Sequence, residues 1–339
     1  MSGENKKVLI FCPKFFGYEK RMEKAFENAG YMVYLYDERP SNSFIGKVSL
    51  RLNLKFYKPV VRKYISRVIE ENKGIQFDYI FVVKCEAMGK NEIDMLKSAY
   101  PNAKLVLYYW DSVKNIPDGE KKINYFDKVF TFDPNDAKKY NLPFLPVPYG
   151  EEYTNYEESG NYEYDVAFIG TAHSVRPRVV KQIKKQCEDM GRRCFTYFYS
   201  PHILVYFLNK LTNKDYKYLP FKEVNFKALS TEEVCRIYNS SRCVMDIEHP
   251  RQNGTTTRPV EMLPMKKKII TTNKYVKNFE FYNQNNFIII DRETPCLKEE
   301  FFESEYLPVD KDVLYKYSPE KFVKTILGDW LLVKKWVQF

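Results

Sequence analysis

Short runs of β-branched and aromatic residues alternate with helix-forming segments along this chain, and the whole alternation occurs twice. In the first half, Lys7–Cys12, Tyr31–Tyr36, Tyr79–Val83, Lys104–Trp110, Lys128–Phe132 and Phe144–Val147 read as strands. Tyr18–Asn28 reads as a helix closed by Gly30. Another starts near Asn91 as its N-cap, carries Ile93, Leu96 and Tyr100 on one face, and stops at Pro101. The polar stretch Gly150–Tyr164 then breaks the pattern, which restarts with strands at Asp165–Gly170, Cys194–Tyr199, Cys243–Ile247, Lys268–Thr271 and Phe287–Ile290. Helices are expected at Arg178–Met190, at Thr231–Asn239 behind a Ser230/Glu233 capping box, and at Arg258–Leu263. Alternation of this kind implies mostly parallel sheets covered on both faces. The expectation is an α/β protein of two Rossmann-like domains facing one cleft, residues 1–150 and 151–318. An amphipathic helical segment, 319–339, follows, with Phe322, Ile326, Trp330, Leu331 and Trp336 at near-helical spacing.

With 339 residues the chain can build two separate cores. Its 54 Lys and Arg against 44 Asp and Glu leave a formal charge of +10, which favours an anionic partner. Seven cysteines, an odd number with no C-x-x-C pair, argue against a disulfide framework or a zinc site and for a reducing compartment. No secretory signal opens the sequence and no apolar run is long enough to span a bilayer, so a cytoplasmic protein, at most peripheral on a membrane, is expected. One segment suits such a surface. Lys47, Arg51, Lys55, Lys58, Arg62, Lys63 and Arg67 recur at near-helical spacing around Leu52, Leu54 and Phe56, with Phe44 and Ile45 just before. A solvated charged face beside a core stripe explains it equally well.

The most informative stretch for chemistry runs from Asp246 to Leu263. It places Gly254, Thr255, Thr256, Thr257 and Arg258 between a strand and a helix that Pro259 helps to start. Free amides at a helix start hold phosphate, glycine permits close approach, threonine hydroxyls donate hydrogen bonds, and a guanidinium grips two oxygens at once. Glu261, in the first helical turn, is placed to accept from ribose hydroxyls. A capping box would need Ser or Thr three residues earlier, where Arg258 stands. A second strand-to-helix loop carries Gly170, Thr171, His173 and Arg176, again at the carboxyl end of a strand, where open α/β sheets bind ligands. His173 and His249 lie beside these two loops. For a proton-accepting base, Asp111 follows one strand and Glu86 another. Each has a structural alternative, Asp111 as a cap and Glu86 as the partner of Lys84. Asp310-Lys-Asp312 reads as a surface turn rather than a metal site, and no metal is expected.

Two rival classes lack their signatures. The first turn, Cys12–Gly17, has no G-x-G-x-x-G, and Pro13, Phe15 and Phe16 would block a dinucleotide pyrophosphate. No zinc-knuckle, RNP or helix-turn-helix pattern marks a nucleic-acid binder.

Three motifs carry a family resemblance: Phe168–Ser174, Tyr109–Asn115 and Gly254–Leu263. They resemble bacterial capsular and lipopolysaccharide biosynthesis proteins, which in turn resemble CgeB-like glycosyltransferases of GT-B fold. The resemblance implies a nucleotide-sugar donor on the C-terminal domain and a saccharide or lipid-linked saccharide acceptor on the N-terminal one. It implies no cofactor beyond that substrate, and it gives Glu261 the ribose-holding role. The threonine run stands where the family has a glycine-rich helix start. A nucleotide-sugar epimerase of similar fold would share the donor site.

Overall fold

A computed structural model describes residues 6–156, 160–249 and 256–328. Gly254, Thr255, Trp330, Leu331 and Trp336 lie outside the described residues. The chain divides into two compact units, one running up to Val147 and taking in the residues from Pro319 on, the other spanning Pro148–Ser318.

The first unit is built on five strands: β1 (Lys7–Phe11), β2 (Met32–Tyr36), β3 (Tyr79–Val83), β4 (Lys104–Tyr109) and β5 (Lys128–Thr131). All pair in parallel in the order β2-β1-β3-β4-β5. Every residue of β3 is buried, as a central parallel strand with helices on both faces requires. The chain leaves β1 for β2 on one side and returns to β3 on the other, so the sheet has its switch point between β1 and β3.

The C-terminal segment belongs to this unit. Helix Pro319–Leu327 buries Phe322, Val323 and Ile326. Phe322 meets Tyr108 edge-on at 5.0 Å and Phe81 at 6.5 Å, and the Lys128 ammonium donates to the Gly328 carbonyl at 2.6 Å.

Three local expectations change. Phe144–Val147 forms no strand; only Phe144 bridges to Thr131. Pro143, Pro146 and Pro148 interrupt the run and supply no ladder N–H, although Leu145 and Val147 still enter the core. The helix expected at Asn91 starts earlier, at Lys90–Ala99, because the Glu92 carboxylate accepts the Gly89 amide at 3.0 Å. The basic segment is two helices, Phe44–Arg51 and Lys58–Glu71, rather than one.

The second unit holds β6 (Tyr164–Thr171), β7 (Cys194–Tyr199), β8 (Val224–Asn225), β9 (Ser241–Asp246), β10 (Lys268–Thr271) and β11 (Phe287–Ile289). They pair in parallel in the order β11-β10-β9-β6-β7-β8. The Ser230/Glu233 box caps Thr231–Asn239 as read from sequence. Asp310 is the N-cap of helix Lys311–Lys316, accepting the Asp312 amide at 2.8 Å, so Asp310-Lys-Asp312 is a helix start.

Candidate functional site

In the second unit the chain winds outward from β6 through β7 to β8, then returns to β9 on the other side of β6. The switch point therefore lies between β6 and β9, where ligands of open α/β sheets bind. The register sharpens it. β6 stays paired with β7 as far as Thr171 opposite Tyr199, but with β9 only as far as Ala167 opposite Val244. Beyond that point the two strands part. The carbonyls left by the parting are taken by arginines. Arg258 donates through Nη1 to Ile169 O at 2.9 Å, and Arg176 through Nη1 to Thr171 O at 3.1 Å. Arg176 also donates through Nε to Ile247 O at 2.6 Å, so one guanidinium ties the ends of β6 and β9 together.

Both arginines are half-buried. Burial first, then repulsion from Arg258, pull Arg176 down to about 10. Burial works against Arg258 too, but Tyr238, Glu261 and Asp246 around it outweigh that, and its pKa is raised. Its guanidinium lies 5.0 Å from the Tyr238 ring centroid, and its buried Nε has no hydrogen-bond partner among the described residues. Glu261, on helix Thr257–Met262, is buried against this cluster.

The loop after β6 is braced from behind. Tyr216 donates its hydroxyl to Ala172 O at 2.5 Å, and Asn213 its amide to Ser174 O at 2.9 Å. Ser174 itself sits in the left-handed region at φ 45°. Arg176 opens the 14-residue helix Arg176–Asp189, with Pro177 in its first turn. A Cβ on Gly170 would lie 2.9 Å from Phe168 Cζ and 3.4 Å from Arg176 Nη1, so glycine lets the arginine pack beside the strand. His173 and His249 face each other with ring centroids 5.5 Å apart. Burial, Arg176 and His249 together lower His173 to about 3, so it is a neutral imidazole at physiological pH.

Sequence reasoning missed the acidic floor beneath this loop. Asp246 accepts Thr256 Oγ1 at 2.6 Å and Thr271 Oγ1 at 3.1 Å, which engages the Thr256 hydroxyl within the protein. Glu248 accepts Thr272 Oγ1 at 2.5 Å and pairs with Arg292, whose Nη1 also reaches the Glu248 carbonyl at 3.0 Å. Their positions in the Asp246–His249 run were visible, but their partners lie just before helix Thr257–Met262, at the end of β10 and beyond β11.

In the first unit Glu86 and Asp111 come together around Lys84, whose ammonium is 3.5 Å from Glu86 Oε2 and 3.4 Å from Asp111 Oδ2. Arg39 also donates to Glu86 Oε2, at 3.0 and 2.7 Å. Asp111 Oδ1 accepts from the Ser112 amide and Asn115 Nδ2, each at 2.9 Å. Of the two carboxylates Asp111 is the more exposed, at 35% against 8% for the side chains. Lys84 and Cys85, directly after β3, both have left-handed backbone, with φ of 71° and 57°. Strain of this kind in non-glycine residues persists only where surrounding structure enforces it. Here the buried Lys122 ammonium donates to Cys85 O at 2.6 Å. Next to these residues Glu86–Glu92, Tyr57 and Tyr125 border a cavity of about 280 Å³.

Glu38 lies fully buried behind this loop, with Oε1 accepting the Ala87 amide at 2.6 Å and Oε2 without a hydrogen-bond partner among the described residues. Burial raises its carboxyl to about 7; Glu86 also raises it, while the Ala87 amide, Lys122 and Arg39 lower it. In the unfolded chain it titrates near the ordinary value. Between those two values the folded state binds the extra proton, so stability falls as pH rises through the window. Glu38→Gln is expected to unfold like the native protein at pH 4. At pH 8 it should be the more stable by about 3 kcal/mol. Urea titrations across that range check this; parallel curves would show that Glu38 titrates normally.

No protein-family model and no curated protein sequence matches the chain. Solved structures do resemble it over nearly its whole length, and they place it in the GT-B fold class. A glycosyltransferase from Rickettsia africae, 11% identical, aligns with a TM-score of 0.59 over 97% of this chain and 100% of that one. A trehalose-6-phosphate synthase studied for glycosyl transfer with retention, 8% identical, gives 0.60 over 98% and 99%. The Anabaena HepE protein in complex with UDP and glucose, 11% identical, gives 0.57 over 95% and 98%.

Proposed function

We propose that this chain is a glycosyltransferase that binds a nucleotide-sugar at the carboxyl ends of β6 and β9. The observation that carries the reading is the parting of those two strands with two half-buried guanidiniums, Arg176 and Arg258, at its edge. When a glycosidic bond to a nucleoside diphosphate breaks, the bonding electrons stay with the diphosphate. Fixed cations and amides stabilise that growing charge without reorganising, and they are worth most where water is excluded. Arg176 spends Nε and Nη1 on backbone carbonyls, and the loop amides of 173–175 with the start of helix Arg176–Asp189 add partial positive charge. In this reading the arginines serve where other enzymes use a divalent metal. Glu261, beside Arg258, is the ribose acceptor, and neutral His173 donates one hydrogen bond to donor oxygens. The GT-B fold and a neighbour solved with UDP and glucose support the same assignment.

The acceptor is proposed to be a saccharide, free or lipid-linked, of a surface polysaccharide such as capsule or lipopolysaccharide, in line with the CgeB-like motifs. It would enter at the carboxyl edge of the first sheet, where the 280 Å³ cavity offers Tyr57 and Tyr125 for sugar faces. Asp111, the more exposed carboxylate there, is the proposed base. The donor site is tested by thermal shift with UDP, GDP, dTDP, CMP and NAD. One nucleoside diphosphate is expected to raise the melting temperature, and Glu261→Gln to weaken its binding at least about tenfold by leaving the ribose hydroxyls a poorer acceptor. Stabilisation by NAD alone would sink the assignment.

A further inference from the structure

Helix Ile203–Thr212 carries Leu204, Phe207, Leu208 and Leu211 at intervals of three and four residues, so they share one face. That face points to solvent. Leu211 is 85% exposed and Leu204 69%, and Phe207 and Leu208 are also exposed. The helix is anchored by Tyr206 instead, buried on the opposite side and donating its hydroxyl to Leu219 O at 2.9 Å. A second chain segment widens the apolar surface. Phe207 stacks on exposed Phe221 at 5.8 Å, and Phe221 meets exposed Phe226 at 5.7 Å. Five exposed lysines, Lys210, Lys214, Lys217, Lys222 and Lys227, belong to the same stretch. The two acids between residues 203 and 227 do not balance them, since Asp215 is buried on Arg178 and Glu223 pairs with Lys181.

An exposed apolar face with exposed lysines interspersed in the same stretch of chain narrows the choice of occupant. A second copy of this chain, docking through the same patch, would bring the two sets of lysines together. An anionic bilayer complements both parts, taking leucine and phenylalanine at headgroup depth and lysines on acidic headgroups. We propose that this face of the second unit docks on an anionic lipid surface. The proposal is independent of the nucleotide-sugar reading and of the basic segment in the first unit, where Phe56 is exposed.

The test is co-sedimentation with phosphatidylcholine vesicles with and without phosphatidylglycerol. The native protein is expected to pellet with the anionic vesicles and far less with the neutral ones. Leu208→Glu/Leu211→Glu should lower the partition coefficient roughly 100-fold. A Lys214→Gln/Lys217→Gln/Lys222→Gln variant should lower it by about two orders of magnitude at low salt and much less at high salt. Both variants change exposed positions, so an unchanged unfolding midpoint certifies the fold. Phe56→Glu should pellet like the native protein. The proposal is overturned if the native protein stays in the supernatant, if the leucine variant still pellets, or if only Phe56→Glu loses binding. Concentration-dependent self-association that the leucine variant abolishes, without vesicle binding, overturns it in favour of a dimer.

Discussion

Arg258→Ala is expected to destabilise the second unit by about 3 kcal/mol and to abolish its stabilisation by a nucleoside diphosphate. Three losses combine. Ile169 O, at the parting of β6 and β9, loses the Arg258 donor; the Tyr238 ring loses the cation above it; and buried Glu261 loses the positive charge beside it. The last loss dominates, because removing one member of a buried charge cluster weakens what offsets the desolvation of the other. Arg258→Lys keeps the charge but not the planar fork, and one ammonium will not serve both the carbonyl and the ring face. It should recover part of the stability and little of the nucleotide binding. Calorimetry with and without the nucleotide separates the two effects. An Arg258→Ala protein that melts like the native one and still responds to nucleotide would remove Arg258 from the site altogether.

Phe322→Ala should destabilise the first unit by about 3–5 kcal/mol, since a nearly fully buried aromatic leaves a cavity its surroundings fill only in part. For a unit of this size that is on the order of 10 °C in its melting temperature. The ring sits edge-on to Tyr108 and near Phe81, side chains from β4 and β3, so its loss reaches the centre of the sheet. The transition of the second unit should stay in place, which calorimetry on the whole chain resolves if the units melt separately. A variant with native melting would mean that helix Pro319–Leu327 is an appendage rather than part of the core.

Much of the architecture was legible in the sequence because buried parallel strands write themselves as unbroken apolar runs. Tyr79–Val83 and Lys268–Thr271, buried throughout, are strands over the residues the pattern indicates, and so is the half-buried Cys194–Tyr199. Phe144–Val147 has the same apolar content but three prolines around it, and backbone hydrogen-bonding capacity outranked hydropathy. Helix Ile203–Thr212 escaped notice because its apolar residues face outward, and an exposed apolar face mimics a buried segment in a one-dimensional pattern. Both loops proposed to hold phosphate were read by position, each between a strand and a helix. The direction of their side chains was not.

The order of apolar and polar residues determines here that the chain alternates strand and helix, that it does so twice, and that Gly170–Arg176 and Thr256–Glu261 each follow a strand. Those are local facts, set by periods of two and of 3.6 residues. Which strand lies beside which is not local. Only the tertiary structure brings β9 against β6, ends their pairing at Ala167, and turns Arg258 onto the carbonyl of Ile169, 89 positions earlier in the chain. The same assembly engages Thr256 with Asp246 and gathers Glu86, Lys84 and Asp111 at one sheet edge. The physical reason is that hydrogen-bond partners of a side chain are chosen by sheet order and register, which depend on how whole elements pack.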